Sequence, residues 1–175
     1  MKSTPQGYGT VAVAIHWLSA AAILALLVTG FRSGFSDDPA AKAASLRIHL
    51  PVAILVLVLT VGRLLWWWRF DEKPAPLSGT PRAQARIAEW VHRGLYLLIF
   101  VLLGSGIAMS VLSGLPDALF GAAPLPELAA LPPRTAHGIA ARLIAAAILL
   151  HAGAALYHRV VLRDGTLSRM WFTRG

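Results

Sequence analysis

Four long apolar stretches constrain the fold of this chain more than any other feature. They cover residues 11–31, 48–68, 90–112 and 136–160. A stretch of about 17 to 25 apolar residues is long enough to cross a bilayer as a helix. Backbone inside lipid must be helical or part of a closed barrel, and these stretches lack the alternation of barrel strands. We therefore predict an all-α, integral membrane four-helix bundle that forms a single domain over residues 1–175.

The composition and the intervening segments agree with this prediction. Charged residues make up 14% of the chain, whereas about a quarter of the residues in a soluble domain are charged. The first apolar stretch lacks a clear small-residue cleavage site and is too long for a typical signal peptide, so we interpret it as a membrane span. Segments 32–47, 71–86 and 113–134 contain the prolines, glycines and polar residues typical of loops.

The basic residues predict the orientation of the bundle. Four of them fall on one side of the predicted membrane, namely Arg32, Lys42, Arg47 and Arg134. The other side collects Lys2, Arg63, Arg69, Lys73, Arg82, Arg86, Arg93, Arg159, Arg163, Arg169 and Arg174. Because Lys and Arg concentrate in cytoplasmic loops, we expect both termini to be cytoplasmic. This distribution also explains the net charge of +8 without a nucleic-acid partner.

Four histidines in the apolar stretches form the candidate cofactor site. His137 and His151 lie fourteen residues apart, which in a helix leaves them about 40° apart in azimuth and about 21 Å apart along the axis. The predicted topology places His49 at the depth of His137, near the outer face, and His16 at the depth of His151, in the cytoplasmic half. Facing helices can hold haem iron between two imidazoles. The spacing therefore predicts two haem groups, with these histidines as iron ligands.

The histidines also allow other interpretations. A membrane histidine can instead hydrogen-bond a neighbouring helix, and the corresponding alternative is a haem-free structural or transport bundle. Four histidines that match in pairs by depth favour ligation. The chain has no cysteine, which excludes thiolate-ligated haem, iron–sulfur clusters and covalent haem attachment. His92 and His158 are weaker ligand candidates, and we expect both at the cytoplasmic interface.

Several motifs carry a family resemblance over essentially the whole chain. They are Ile15-His16-Trp17-Leu18, Arg47-Ile48-His49, and His137, His151 and His158 followed by Arg163-Asp164-Gly165-Thr166-Leu167-Ser168-Arg169-Met170. The sequence resembles the bacterial cytochrome b561 family. The resemblance implies a multi-pass dihaem b-type cytochrome of the bacterial inner membrane, with His16 paired with His151 and His49 paired with His137.

The resemblance also implies a reaction, in which superoxide is oxidised at the outer face and ubiquinone is reduced. Quinone reduction consumes protons, so a group that titrates near neutral pH is useful beside the quinone. We assign this role to His158 and expect Lys73 and Arg163 to hold the quinone head group. Arg47 is the candidate contact for an outer anion or a haem propionate. Arg142 either snorkels outward or meets a haem propionate.

Two functions remain open at this point. The first is a self-contained oxidoreductase that passes electrons from periplasmic superoxide to ubiquinone. The second is a haem-carrying membrane anchor that relays electrons between a periplasmic redox protein and the quinone pool. Both use the same four haem ligands, but an anchor has no substrate site of its own.

Overall fold

The computed structural model describes residues 2–172, and within them the chain forms helices and no strand. The five α-helices are α1 (Thr10–Phe35), α2 (Pro39–Arg69), α3 (Arg82–Ser113), α4 (Leu115–Phe120) and α5 (Pro132–Tyr157). A π-helical turn, His158–Leu162, continues α5. The helical segments α1, α2, α3 and Pro132–Leu162 are long and apolar enough to cross a membrane, which confirms the predicted fold class. Arg174, counted above for orientation, lies outside the described residues.

The long helices extend beyond the predicted spans. The prediction of a loop over residues 32–47 was wrong, because only residues 36–38 separate α1 from α2. The Asp38 side chain accepts hydrogen bonds from the backbone N–H groups of Ala40 and Ala41, so it caps the helix before its apolar part begins. Hydropathy marks the lipid-facing part of a helix, whereas hydrogen bonding continues into its polar ends.

The short helix α4 closes one end of the bundle and was not predicted. Gly114, with a left-handed φ of 63°, ends α3 and turns the chain into α4. Leu115 and Leu119 of α4 are buried. Arg47 of α2 donates from Nε to the backbone oxygen of Leu119 at 2.8 Å. This contact ties α4 to the end of the bundle that also holds the α1–α2 connection, here called the distal end.

The described N-terminal segment, from residue 2, and the described C-terminal segment, up to residue 172, lie at the opposite end, here called the terminal end. The Tyr8 backbone N–H donates to the oxygen of Arg169 at 3.1 Å, and Ser3 donates from both its backbone and its side chain to Asp71. The basic residues of the cytoplasmic group that fall within residues 2–172 lie on helices and connections that reach this end. Its cytoplasmic orientation stays a prediction.

The helices pack as two pairs. The extensive helix contacts join α1 to α2 and α3 to α5. Few side chains are fully enclosed, among them Val13, Val56 and Ile144, while large apolar residues such as Leu149 and Leu150 are mostly exposed. Apolar side chains on the outside suit a lipid environment. The space between the two pairs contains the candidate cofactor sites.

Candidate haem-binding sites

The two histidines of the distal end face each other across the helix pairs. The rings of His49 on α2 and His137 on α5 have centroids 6.3 Å apart and planes inclined at 62°. A metal ion held by two imidazoles with bonds of about 2 Å on either side would separate the ring centroids by about 6 Å. The structure therefore brings this predicted pair to a separation that fits one iron atom.

Hydroxyl groups fix which ring nitrogen carries the proton in both distal histidines. Thr29 on α1 and Ser105 on α3 each donate to the carbonyl four residues earlier in their own helix, at 2.7 and 2.6 Å. Each hydroxyl has only one proton, so its oxygen must accept the Nδ1–H of the neighbouring imidazole. These bonds measure 3.0 Å for His49 and 2.9 Å for His137. Nε2 of each ring then carries the lone pair that a metal requires.

A glycine follows each of these hydroxyl residues and leaves room for the ring. A Cβ added to Gly30 would lie 3.2 Å from Cε1 of His49, and one added to Gly106 would lie 3.5 Å from Cε1 of His137. Neither hydroxyl residue is among the site residues predicted from the sequence. The available signal was the pair of dipeptides, Thr29-Gly30 and Ser105-Gly106, each within an apolar span.

A cavity of about 710 Å³ adjoins the distal histidines and is lined by α1, α2, α3 and α5. This volume lies within the range of about 300–1,000 Å³ typical of cofactor pockets. Most of its lining is apolar, and Arg134 and Arg142 are among its charged members. The histidine donors, the apolar walls and the volume all fit a haem. Arg47 is not among the described lining residues.

The second predicted pair lies toward the terminal end. The rings of His16 on α1 and His151 on α5 have centroids 6.4 Å apart and planes inclined at 66°, close to the values for the distal pair. The prediction of His92 at the interface was incomplete, because its ring centroid lies 5.3 Å from that of His151. His92 donates from Nδ1 to the backbone oxygen of Ala88 at 2.6 Å.

Arg63 of α2 supplies a cation to the same cluster. Its Nη1 lies 3.4 Å from Nδ1 of His16. Its Nε is buried without a hydrogen-bond partner among residues 2–172. Buried polar atoms are nearly always paired, and an anionic group on a bound cofactor would satisfy this one. The terminal cluster therefore also fits a haem.

His158 belongs to a separate hydrogen-bonded group beyond the terminal pair. Its Nδ1 bonds to the carboxylate of Asp164, and Gln84 donates from Nε2 to its Nε2 at 3.1 Å. Burial raises the pKa of Asp164, but hydrogen bonds from Thr166 and from His158 outweigh it and lower the pKa to about 2. Asp164 therefore stays ionised and orients the imidazole through Nδ1.

The end of the fifth helix positions this group. The π-helical turn His158–Leu162 widens the helix, and Arg163, with a left-handed φ of 53°, reverses the chain so that Asp164 meets His158. Single π-helical turns of this kind are frequent at functional sites. Arg163 also lines a shallow cavity of about 440 Å³ with Arg159 and Gly165. Lys73 lies at the same end, but none of the described hydrogen bonds or ion pairs joins it to His158 or Arg163.

Comparisons with known proteins agree with the geometry. The model of the prokaryotic cytochrome b561 family matches residues 7–173. The chain is 30% identical to cytochrome b561 homolog 2 of Escherichia coli K12, over 96% of this chain and 93% of that protein. It is 33% identical to the probable superoxide oxidase CybB of Yersinia pestis, over 93% of this chain and 94% of that protein. The chain therefore belongs to the prokaryotic cytochrome b561 family and is a multi-pass bacterial membrane protein that binds haem b and transfers electrons.

Proposed function

We propose that this protein carries electrons across the bacterial inner membrane from superoxide at its distal end to ubiquinone at its terminal end. The observation that carries the proposal is the presence of two facing histidine pairs, with centroid separations of 6.3 and 6.4 Å, at two depths of one bundle. Two pairs imply two haem b groups. The basic residues support a cytoplasmic terminal end, and the name of the Yersinia relative supports superoxide as the donor.

The chain contributes ligands, spacing and proton control to this reaction. Haem b supplies one-electron transfer when it is bound. His49 and His137 would hold one haem, and His16 and His151 would hold the other, on rigid helices that keep the two sites apart. With two imidazoles holding each iron, neither superoxide nor quinone would become an iron ligand. Two superoxide anions release two oxygen molecules and two electrons, and one ubiquinone takes up two electrons and two protons.

The group around His158 supplies protons for quinone reduction. His158 delivers a proton from Nε2 to a quinone oxygen once the Gln84 amide, which donates to that atom in the structure, turns away, while Asp164 keeps the imidazole oriented through Nδ1. Arg163 and Lys73 bind the quinone carbonyl oxygens, and the shallow cavity beside Arg163 receives the head group. At the distal end, Arg47 holds α4 through Leu119 and attracts superoxide by its charge.

Replacement of His158 by Ala tests this assignment. We expect ubiquinone reduction by superoxide to slow by about 100-fold, the typical contribution of a positioned proton donor, while both haems remain. Tyr157→Phe, one residue earlier and outside the hydrogen-bonded group, is the control. The measurement is quinol formation by purified protein under a steady supply of superoxide.

Quinol formation, haem content and copurifying proteins together distinguish the two candidate functions. Loss of a haem from His158→Ala would refute the proton role, because it would make His158 a ligand. A purified wild-type protein that holds two haems but reduces no quinone, and that copurifies with a periplasmic redox protein, would support the membrane-anchor hypothesis instead.

A further inference from the structure

Two arginines of α5 converge on one glycine at the distal cavity. A Cβ added to Gly138 would lie 3.1 Å from Nη1 of Arg134 and 3.4 Å from Nη1 of Arg142. Arg142 also donates from Nη1 to the backbone oxygen of Gly138 at 3.0 Å. The missing side chain at Gly138 thus lets two guanidinium groups approach the helix side by side, directly after His137.

Neither guanidinium has an acidic partner in the described part of the chain. The ion pairs among residues 2–172 involve Arg93 and His158, and no carboxylate lies within ion-pairing distance of Arg134 or Arg142. The cavity has one acidic lining residue, Glu127, whose Oε1 accepts from the Ala129 backbone N–H. Two like charges held together without a counter-charge repel each other, so the arrangement indicates an anionic ligand.

The position of the two guanidinium groups favours an anion that stays in the protein. The Arg142 side chain reaches back along α5 to Gly138, so its charge lies near the depth of His137, beside that of Arg134. Both arginines line the mostly apolar distal cavity, where a cation is costly unless it is paired. A dissolved anion would have to leave water to reach it, whereas a carboxylate carried on the cofactor is already inside the cavity.

We propose that Arg134 and Arg142, brought together at Gly138, bind the propionate carboxylates of the distal haem. This inference rests on the proposed function, because it requires a haem between His49 and His137. The two cations orient the cofactor and stabilise its reduced form, which carries one more electron than the oxidised form. They therefore raise the reduction potential of the distal haem relative to a site without them.

Potentiometric titration of the purified holoprotein tests the proposal. Arg142→Gln should shift the reduction equilibrium of the distal haem about tenfold toward the oxidised form, a fall of about 59 mV for one electron. Arg142→Lys should recover part of this shift because it keeps the charge. Arg32→Gln removes a cation from the last turn of α1 and serves as the control. The terminal haem should be unchanged in every variant.

Resonance Raman spectroscopy supplies a second measurement, because the propionate bending band reports hydrogen bonding to the carboxylates. This band should shift in Arg142→Gln and not in Arg32→Gln. Gly138→Ala is a second variant that tests the proposal if an arginine variant loses the distal haem. Its added Cβ, 3.1 Å from Nη1 of Arg134 and 3.4 Å from Nη1 of Arg142, shifts these groups by a few tenths of an ångström without removing a charge, and alanine is favourable in a helix. It should lower the distal potential by less than Arg142→Gln does, with the haem retained.

The outcomes separate this inference from the proposed function. Wild-type protein with two haems, together with arginine and Gly138 variants whose potentials and propionate band match those of Arg32→Gln, would overturn this inference alone. A distal potential that follows the concentration of added phosphate would assign the arginines to a dissolved anion and would also overturn it. Wild-type protein without a distal haem would overturn both.

Discussion

The distal histidines are held by side chains that carry no charge and form no recognised motif. Thr29 and Ser105 each use their proton on their own helix and their oxygen on an imidazole. This arrangement selects the Nδ1–H tautomer of His49 and His137 before any metal arrives. Partners of this kind orient a ligand and raise its basicity.

Replacement of Ser105 by Ala tests this role. The variant removes the hydroxyl oxygen that accepts from Nδ1 of His137, so we expect the affinity for the distal haem to fall by about 10- to 100-fold, as for other partners of metal ligands. Ser113→Ala on the same helix is the matched control, because Ser113 makes the same bond to the carbonyl four residues earlier, at 2.7 Å, and has no hydrogen bond to a histidine among residues 2–172. The measurement is haem per chain at limiting haem supply. Equal haem content in the two variants would contradict the role.

The sequence predicts the four candidate ligands but not the residues that hydrogen-bond to them. The spacing of His137 and His151 follows from helical geometry alone, and depth matching supplied His16 and His49. Serine and threonine inside a helix commonly bond to their own backbone, so nothing in the pattern shows that their oxygen also serves a neighbouring helix. Whether the four histidines ligate haem stays a prediction of the geometry.

The polar segments at the terminal end behave as one element. Ser3 donates to both carboxylate oxygens of Asp71, at 2.8 to 3.1 Å, and Trp66 donates from Nε1 to the same group at 3.1 Å. Arg169 donates from Nη2 to the oxygen of Pro5 at 3.1 Å. Trp17 donates from Nε1 to the backbone oxygen of Met170 at 2.8 Å, which links α1 to the C-terminal segment. These contacts draw the N-terminal segment, the α2–α3 connection and the C-terminal segment together.

Asp71→Asn should loosen this element. Burial raises the pKa of Asp71, but hydrogen bonds from Ser3, Trp66 and Glu72 lower it by more, so the pKa lies below its ordinary value. The ionised Asp71 therefore stabilises the folded state at neutral pH. This stabilisation is lost as the pH falls below about 4, through the range in which the carboxylate is protonated. We expect a loss of about 1–3 kcal/mol at pH 7 from weaker hydrogen bonds.

Thermal unfolding in detergent, measured at pH 7 and pH 3, checks this prediction. The difference between the wild type and Asp71→Asn should narrow at the lower pH. Asp37→Asn, an exposed carboxylate next to the α1–α2 turn, is the control. A constant difference between the wild type and Asp71→Asn at both pH values would contradict the assigned role of the ionised Asp71.

The elements were predictable where hydropathy controls them. All four spans lie within the helices of the structure, because a bilayer admits few other forms. The helix ends, α4 and the π-helical turn depend on Asp38, Gly114 and Arg163, whose local backbone conformations have no hydropathy signal. The organisation of the chain as one domain stays a prediction.

For the whole molecule, the division into two helix pairs has an energetic consequence. The α1–α2 and α3–α5 pairs contribute one histidine each to the distal site, His49 and His137. At the terminal site, His16 on α1 and His151 on α5 likewise come from different helix pairs. Ligation at either site would therefore join the two pairs, and the cofactors would contribute to the stability of the bundle.

Protein produced under haem limitation should therefore be less stable. A ligand at a thousandfold excess over its Kd stabilises the folded state by about 4 kcal/mol, or about 10 °C in Tm for a chain of this size. His49→Ala, which should keep only the terminal haem, should have an intermediate Tm. The measurement is thermal unfolding in one detergent at equal protein concentration. Equal Tm values with and without haem would show that the helix pairs hold together unaided.

The central claim is that the two histidine pairs hold two haems in one bundle. A reduced-minus-oxidised absorption spectrum of the purified protein, with haem quantified per chain, tests it most directly. We predict a low-spin b-type spectrum and two haems per chain, each lost separately when one of its histidines is replaced by Ala. One haem per chain would contradict one of the pairs, and no haem after expression with sufficient haem would contradict the account.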